Sequence, residues 1–232
     1  ANIHMEVKSV FDSSFADVEA VGVAISRPKK RLNQQHIGLL YLDEDASPQL
    51  LHHAWHHDLR KESPSDKYLW LDIPLDPINK LHLATFCELV YEANKDGIPY
   101  GICTDGTGFS DDGAFTAGDN HEGLTCATFV AQVFHSQGFI IIDFAGWKHR
   151  KADKKWQLQI LQNLKQSGAS EEHLEHQRKR MLSGAARFKP EEVAISAAMP
   201  NPPHCGEAVR KPAAQLVNKI VDHTNMLAQR NI

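Results

Sequence analysis

The chain has 232 residues and a formal charge of −4, with both signs well mixed. A chain of that length buries enough surface to fold without disulfide or metal staples. The mildly acidic balance argues against nucleic acid as the partner, and no apolar run approaches the ~18 residues of a membrane span. Four cysteines, Cys87, Cys103, Cys126 and Cys205, form no CxxC pair. Zinc-ribbon and thioredoxin readings therefore have no support, and reduced thiols in a cytoplasm are expected. No charged segment followed by an apolar stretch opens the sequence, so the expectation is a chain without a signal peptide.

In chain order, β-branched and apolar residues over Val18–Ile25 predict a strand, followed by a basic, polar connection over Pro28–Gln35. His36–Asp43 (HIGLLYLD) predicts a buried strand, and Gln49–Trp55 its returning partner in a hairpin. Lys61–Lys67 reads as a polar loop and Tyr68–Ile73 as a further strand. Asp76 as N-cap and Pro77 at the first helical position open a helix closed by Gly97. Leu83, Phe86, Cys87 and Val90 fall at i, i+3, i+4 and i+7 on its apolar face, which makes Cys87 a core residue.

Residues 101–123 are rich in glycine and aspartate, a long irregular loop of the kind that is often functional. Asp105, Asp111, Asp112 and Asp119 lack EF-hand spacing, so they read as solvated turns and not as a calcium site. A second helix opens at GLTCATFV, with Phe129, Val130, Val133 and Phe134 as its buried face and Gly138 at its end. Phe139–Phe144 (FIIIDF) reads as a short buried strand. Trp156 to about Lys165, Glu171 to about Leu182, Pro190–Met199 and Ala213–Gln229 read as helices, with a Pro-rich linker at Met199–Gly206. Strands and helices segregate along the chain, which predicts α+β.

Cys126 stands where a loop becomes a helix. Thr125 is its plausible N-cap, and the unpaired N–H groups there favour a thiolate and can hold an oxyanion. A buried, inert helical cysteine is the competing reading. A thiol nucleophile also needs a base. Of the fourteen histidines, His135 shares the cysteine's own helix, His149, His173 and His176 sit in charged stretches and read as solvated, and His204 and His223 lie in a linker and a terminal helix. His36 opens an apolar strand, and His52 lies on the strand that returns beside it, so the two can be neighbours, one orienting the other. The run His52, His53, His56 and His57 also invites a metal reading. It lacks the glutamate of HExxH and its flanks favour a strand, so no metal is assigned, and most of these rings read as the wet rim of a site.

The stretch IPYGICTDGTGF…GLTCATFV resembles the NlpC-type papain-like cysteine hydrolases, with Pro99-Tyr100 matching one signal and Cys126 with Phe129-Val130 another. The histidine strand, His36-Ile37-Gly38-Leu39-Leu40-Tyr41, comes before the cysteine and not after it, an order similar to the circularly permuted branch that includes lecithin:retinol acyltransferase-like proteins. The resemblance covers roughly residues 18–145. It implies a papain-like core over 5–145, with an antiparallel sheet packed against the cysteine helix, and a helical C-terminal extension over 146–232. It further implies Cys126 as nucleophile, His36 as base, His52 as third member (His53 if the register slips by one), and Tyr100 with Thr125 beside the oxyanion or substrate. Thr125 and Ala127 depart from the family's usual residues around the cysteine.

The implied activity is hydrolysis of an amide through an acyl-enzyme, without a cofactor. The implied substrate is a peptide or bacterial cell-wall peptide, as for an antibacterial effector exported by a leaderless route and met by an immunity or carrier protein. A lipid acyl hydrolase or transferase on the same site, and a catalytically idle papain-like binding module, are the two alternatives. Whether Asp58 or Asp72 contributes is left open by the sequence.

Overall fold

The computed structural model describes residues 5–28, 34–102, 104, 107–117 and 121–230. Five strands, β1 (Val21–Ser26), β2 (His36–Leu42), β3 (Pro48–Trp55), β4 (Asp58–Glu62) and β5 (Leu69–Asp72), form one antiparallel sheet in the order β4-β3-β2-β1-β5. Its helices are α1 (Pro77–Ala93), α2 (Cys126–Ser136), α3 (Lys151–Gln166), α4 (Glu171–Leu182), α5 (Pro190–Ala198) and α6 (Gly206–Arg230). The expected α+β class is therefore present: an antiparallel sheet and segregated helices.

Strand alternation gives the sheet two apolar faces. Val23, Ile37, Leu39 and Leu51 face α1, α2, α5 and α6 in the main core, where Phe86, Phe129 and Phe134 are nearly inaccessible. Ala24, Leu40, Leu50 and Trp70 face the other way, against Phe15 and Val10 of the N-terminal segment. A third cluster joins Tyr100 and Ile102 to Ile160, Leu164, Leu174 and Met181 of α3 and α4. Residues of α5 and α6, including Val193, Ile195, Leu216 and Ile220, belong to the same main core as the sheet.

Several elements differ from expectation. Lys61 and Glu62 are not loop but the end of β4, a polar edge strand next to β3. The long loop contains a two-residue hairpin, β6 (Gly108–Phe109) with β7 (Phe115–Thr116). Asp105 and Asp119, like Cys103 and most of the 28–35 connection, lie outside the described residues. Phe139–Phe144 is no strand: its only ladder contact among the described residues is an isolated bridge, Ile142 to His204, although Ile141 and Ile142 are buried. Buried apolar side chains satisfied the pattern, while pairing is limited to the His204 bridge. As expected, Asp76 caps α1 by accepting from the N–H groups of Ile78 and Asn79, and Cys87 is fully buried. Among the described residues no helix is long and apolar enough to cross a membrane.

Candidate active site

α2 begins at Cys126 because Thr125 has extended backbone and its hydroxyl accepts from the N–H of Thr128, while the Thr128 side chain returns to Thr125 N–H. This reciprocal box fixes the helix start to the residue, and it occupies the Thr125 hydroxyl. The approach to it is equally fixed. Leu124 N–H donates to Pro99 O (3.0 Å) and Gly101 N–H to Leu124 O (3.3 Å), so segment 99–101 runs against 123–124. A Cβ on Gly123 would stand 2.5 Å from Pro99 O, and one on Gly101 2.7 Å from Gly123 N. Only glycine permits that approach, and it holds Tyr100 beside the residue pair that leads into Cys126.

The histidine run on β3 and its turn takes four different roles. His52 is 4 % exposed, and His36 Nε2 lies 2.8 Å from His52 Nδ1. His52 Nε2 in turn lies 3.3 Å from Glu62 Oε1 on β4. A carboxylate only accepts hydrogen bonds, so His52 donates through Nε2 and its neutral ring accepts at Nδ1. His36 must then donate through Nε2, which leaves its Nδ1 lone pair without a donor among the described residues. The tautomers of both rings follow from one carboxylate. Burial pulls His36 down to about 3, with the neighbouring His52 adding to it, so the ring is neutral at pH 7.

His53 faces the opposite side. It is wholly buried, 5.5 Å from the Tyr100 ring and 6.1 Å from Phe129, and burial brings it down to about 3. His56 Nδ1 accepts from Tyr100 N–H (3.1 Å), and His57 N–H donates to Ile98 O (2.9 Å). The His53 and His56 rings are thus structural members around Tyr100 and not the wet rim expected from sequence, whereas His57 is exposed and makes its hydrogen bond through the backbone. The Tyr100 ring is held between His53 and Trp55, whose centroid is 4.5 Å away. His173, expected to be solvated, is buried on α4 and donates from Nε2 to Tyr100 O (2.8 Å). Tyr100 is therefore gripped through both its backbone groups. No charge pattern in the sequence distinguishes His173 or Glu62 for these roles, since only tertiary packing buries the one and only the β3–β4 register delivers the other.

Cys126, His36, Tyr100, Trp55 and Asn163 of α3 line one cavity of about 220 Å³. Register explains how Cys126 and His36 share it. His36 and His52 lie on the sheet face turned away from α2, but the β2–β3 ladder begins only at Leu39↔Leu51, so the strands are open at the His36 end. Cys126 meets that open end from the α2 side, with the backbone N–H of Ile37 acting on its sulfur. Among the described residues no hydrogen bond joins Cys126 to His36. Nor does the helix start deliver the thiolate expected of it. Burial pushes the Cys126 thiol up to about 11, outweighing the N–H groups of Ile37 and Ala127 that pull it down. The structure therefore joins His36 to His52, rather than to His53, and brings both Cys126 and Tyr100 to the cavity His36 lines.

A larger cavity of about 400 Å³, lined by Asp43, Glu44, Lys61 and Glu88, lies between the β2–β3 turn and α1, away from these groups. No cluster of metal-ligating side chains is present among the described residues, the 52–57 histidines included. Comparison of the chain with protein-family models, with curated proteins and with solved structures finds no match.

Proposed function

We propose that the chain is a thiol-dependent hydrolase acting on an acyl bond, an amide before an ester, with a permuted papain-like arrangement of the NlpC type. The observation that carries this reading is the His36–His52–Glu62 hydrogen-bond chain ending at the cavity that Cys126 lines. It prepares a neutral imidazole whose Nδ1 lone pair meets no donor among the described residues, as a general base requires. In the proposed mechanism, substrate entry brings the sulfur and Nδ1 into contact. His36 takes the thiol proton as sulfur attacks the carbonyl carbon, and His52 with Glu62 stabilises the imidazolium. Cys126 N–H, one of the donors a helix start leaves free, holds the oxyanion beside Tyr100. His36 then protonates the leaving amine, and water releases the acyl group.

The resemblance of the cysteine and histidine motifs points the substrate class toward bacterial cell-wall peptide. The test is incubation of purified peptidoglycan with the wild type and with Cys126→Ala, followed by analysis of released fragments. Fragments with new amine termini from the wild type only are expected; identical digests from both proteins would remove the hydrolase.

A second reading has its own observation. Cys126 is only 6 % exposed, its thiol is held protonated, and it has no bond to His36 among the described residues. Those features favour a papain-like binding module without turnover, and the same digest distinguishes it.

A further inference from the structure

Near Cys126, the Arg187 guanidinium forms no ion pair among the described residues. Arg150, at the start of α3, takes both Asp153 and Glu192 as ion-pair partners. Arg187, in the segment between α4 and α5, takes neither. Its guanidinium carbon lies over the Trp156 ring, 4.3 Å from the centroid, and its Nε is buried without a hydrogen-bond partner among the described residues. The Trp156 indole N–H beneath it is buried and unpartnered as well. Two adjacent orphaned donors are uncommon in a folded interior, because each costs about 1–3 kcal/mol unless something accepts from it.

Their position is as telling as their state. Trp156 packs on the cluster that contains Tyr100, and the same helix delivers Asn163 to the Cys126 cavity. Arg187 and Glu191 are the charged side chains that act on the Cys126 sulfur, and Arg187 also acts on the Tyr100 hydroxyl. Two acids act on Arg187: burial raises the Glu191 carboxyl, which weakens it as a counter-charge, and Asp153 is already paired with Arg150. A guanidinium seated over an aromatic ring, with its Nε–H unpartnered among the described residues, is an arrangement that can take a carboxylate side by side.

We propose that Arg187 and the Trp156 indole form a carboxylate subsite beside Cys126, so that the acyl substrate carries a carboxylate close to the bond attacked. The substrate class rests on the hydrolase reading above; the anion site itself does not. The C-terminal helical extension, in this account, supplies specificity to chemistry carried by the sheet and α2.

Alkylation by a matched pair of reagents tests it without turnover. Iodoacetate and iodoacetamide differ in one charge. The ratio of their rates at Cys126, read by peptide mapping and normalised to the urea-unfolded chain, is expected to be at least about tenfold in favour of iodoacetate. Arg187→Gln is expected to return it to the unfolded ratio and Arg187→Lys to keep part of it. A purely structural role for Arg187 would leave the ratio unmoved. A wild-type ratio equal to that of the unfolded chain overturns the proposal, whatever the peptidoglycan digest gives. Should Cys126 be too enclosed to label, the indole N–H resonance of Trp156, assigned with Trp156→Phe, is the second readout. It is expected to shift on titration with acetate but not acetamide, and not in Arg187→Gln; no acetate-specific shift overturns the proposal equally.

Discussion

At the scale of single residues, the site is a set of protonation states imposed by neighbours. One half-exposed carboxylate, Glu62, fixes the tautomers of His52 and His36. Because it reaches solvent, its replacement should be mild: in the proposed enzyme Glu62→Gln is expected to lower kcat by about fivefold, the value of an exposed pair, with KM unchanged. His52→Ala, which also removes the acceptor for His36, is expected to cost far more, and steady-state kinetics on any substrate found will separate the two. Cys126, Thr125 and His36 were legible in sequence because each stands at a boundary that local rules mark: a helix N-cap or the first residue of an apolar strand. Glu62 and Arg187 were not. Nothing local separates a carboxylate that meets a histidine across a strand pair from one that meets water, or a stacked guanidinium from a surface one.

Among the elements, α4 acts as a latch on the segments that position Tyr100 and Cys126. His173 donates to Tyr100 O, Gln177 Oε1 accepts from Ile102 N–H, Gln177 Nε2 donates to His121 O, and buried Glu122 pairs with Arg180 and His176. His56 grips Tyr100 from the β3–β4 turn, facing His57 and His173. Burial brings His56 down to about 4 and lowers His173, with their histidine neighbours contributing in the same direction. A histidine held neutral in the fold binds fewer protons than in the unfolded chain. Its contribution is complete above the unfolded value of about 6.5 and is lost as pH falls through the folded one. Acidification from pH 7 toward 4 is therefore expected to release α4, with protonation at His56 Nδ1 also abolishing its bond to Tyr100 N–H. Hydrogen exchange over 171–182 as a function of pH measures this; protection that stays constant down to pH 4 would contradict it. Sequence patterning located α4 correctly but placed its histidines in solvent, since charged neighbours at i±1 say nothing about the buried stripe. The edge strand β4 escaped for the converse reason: DLRKE has no apolar alternation, and pairing with β3 alone makes it a strand.

For the whole molecule, the C-terminal third is not an appendage of uniform character. α3 and α4 cover the Tyr100 segment through a cluster of their own, whereas α5 and α6 complete the core beneath the sheet. Leu216→Ala is accordingly expected to destabilise the entire fold by about 2–5 kcal/mol in a single transition, followed by denaturant melts with both far-UV and tryptophan signals. A biphasic melt, with the sheet unaffected, would mean that α6 folds apart from it. The α+β class was readable because strand and helix periodicities segregate along the chain. The division of labour within the helices was not, because every one of them shows the same single apolar stripe.

The central claim is that His36 takes the proton from Cys126, and the pH dependence of thiol acylation measures it most directly. The protein is mixed with p-nitrophenyl acetate from pH 5 to 8, and acetyl-Cys126 is followed by intact mass. With His36 neutral above about 3 and serving as base, the rate is expected to be nearly level across that range. In His36→Ala it should instead climb by about tenfold per pH unit, as expected of a lone thiol that must first ionise near 11. A wild type that climbs as steeply as the variant would show that the imidazole and the sulfur do not work together.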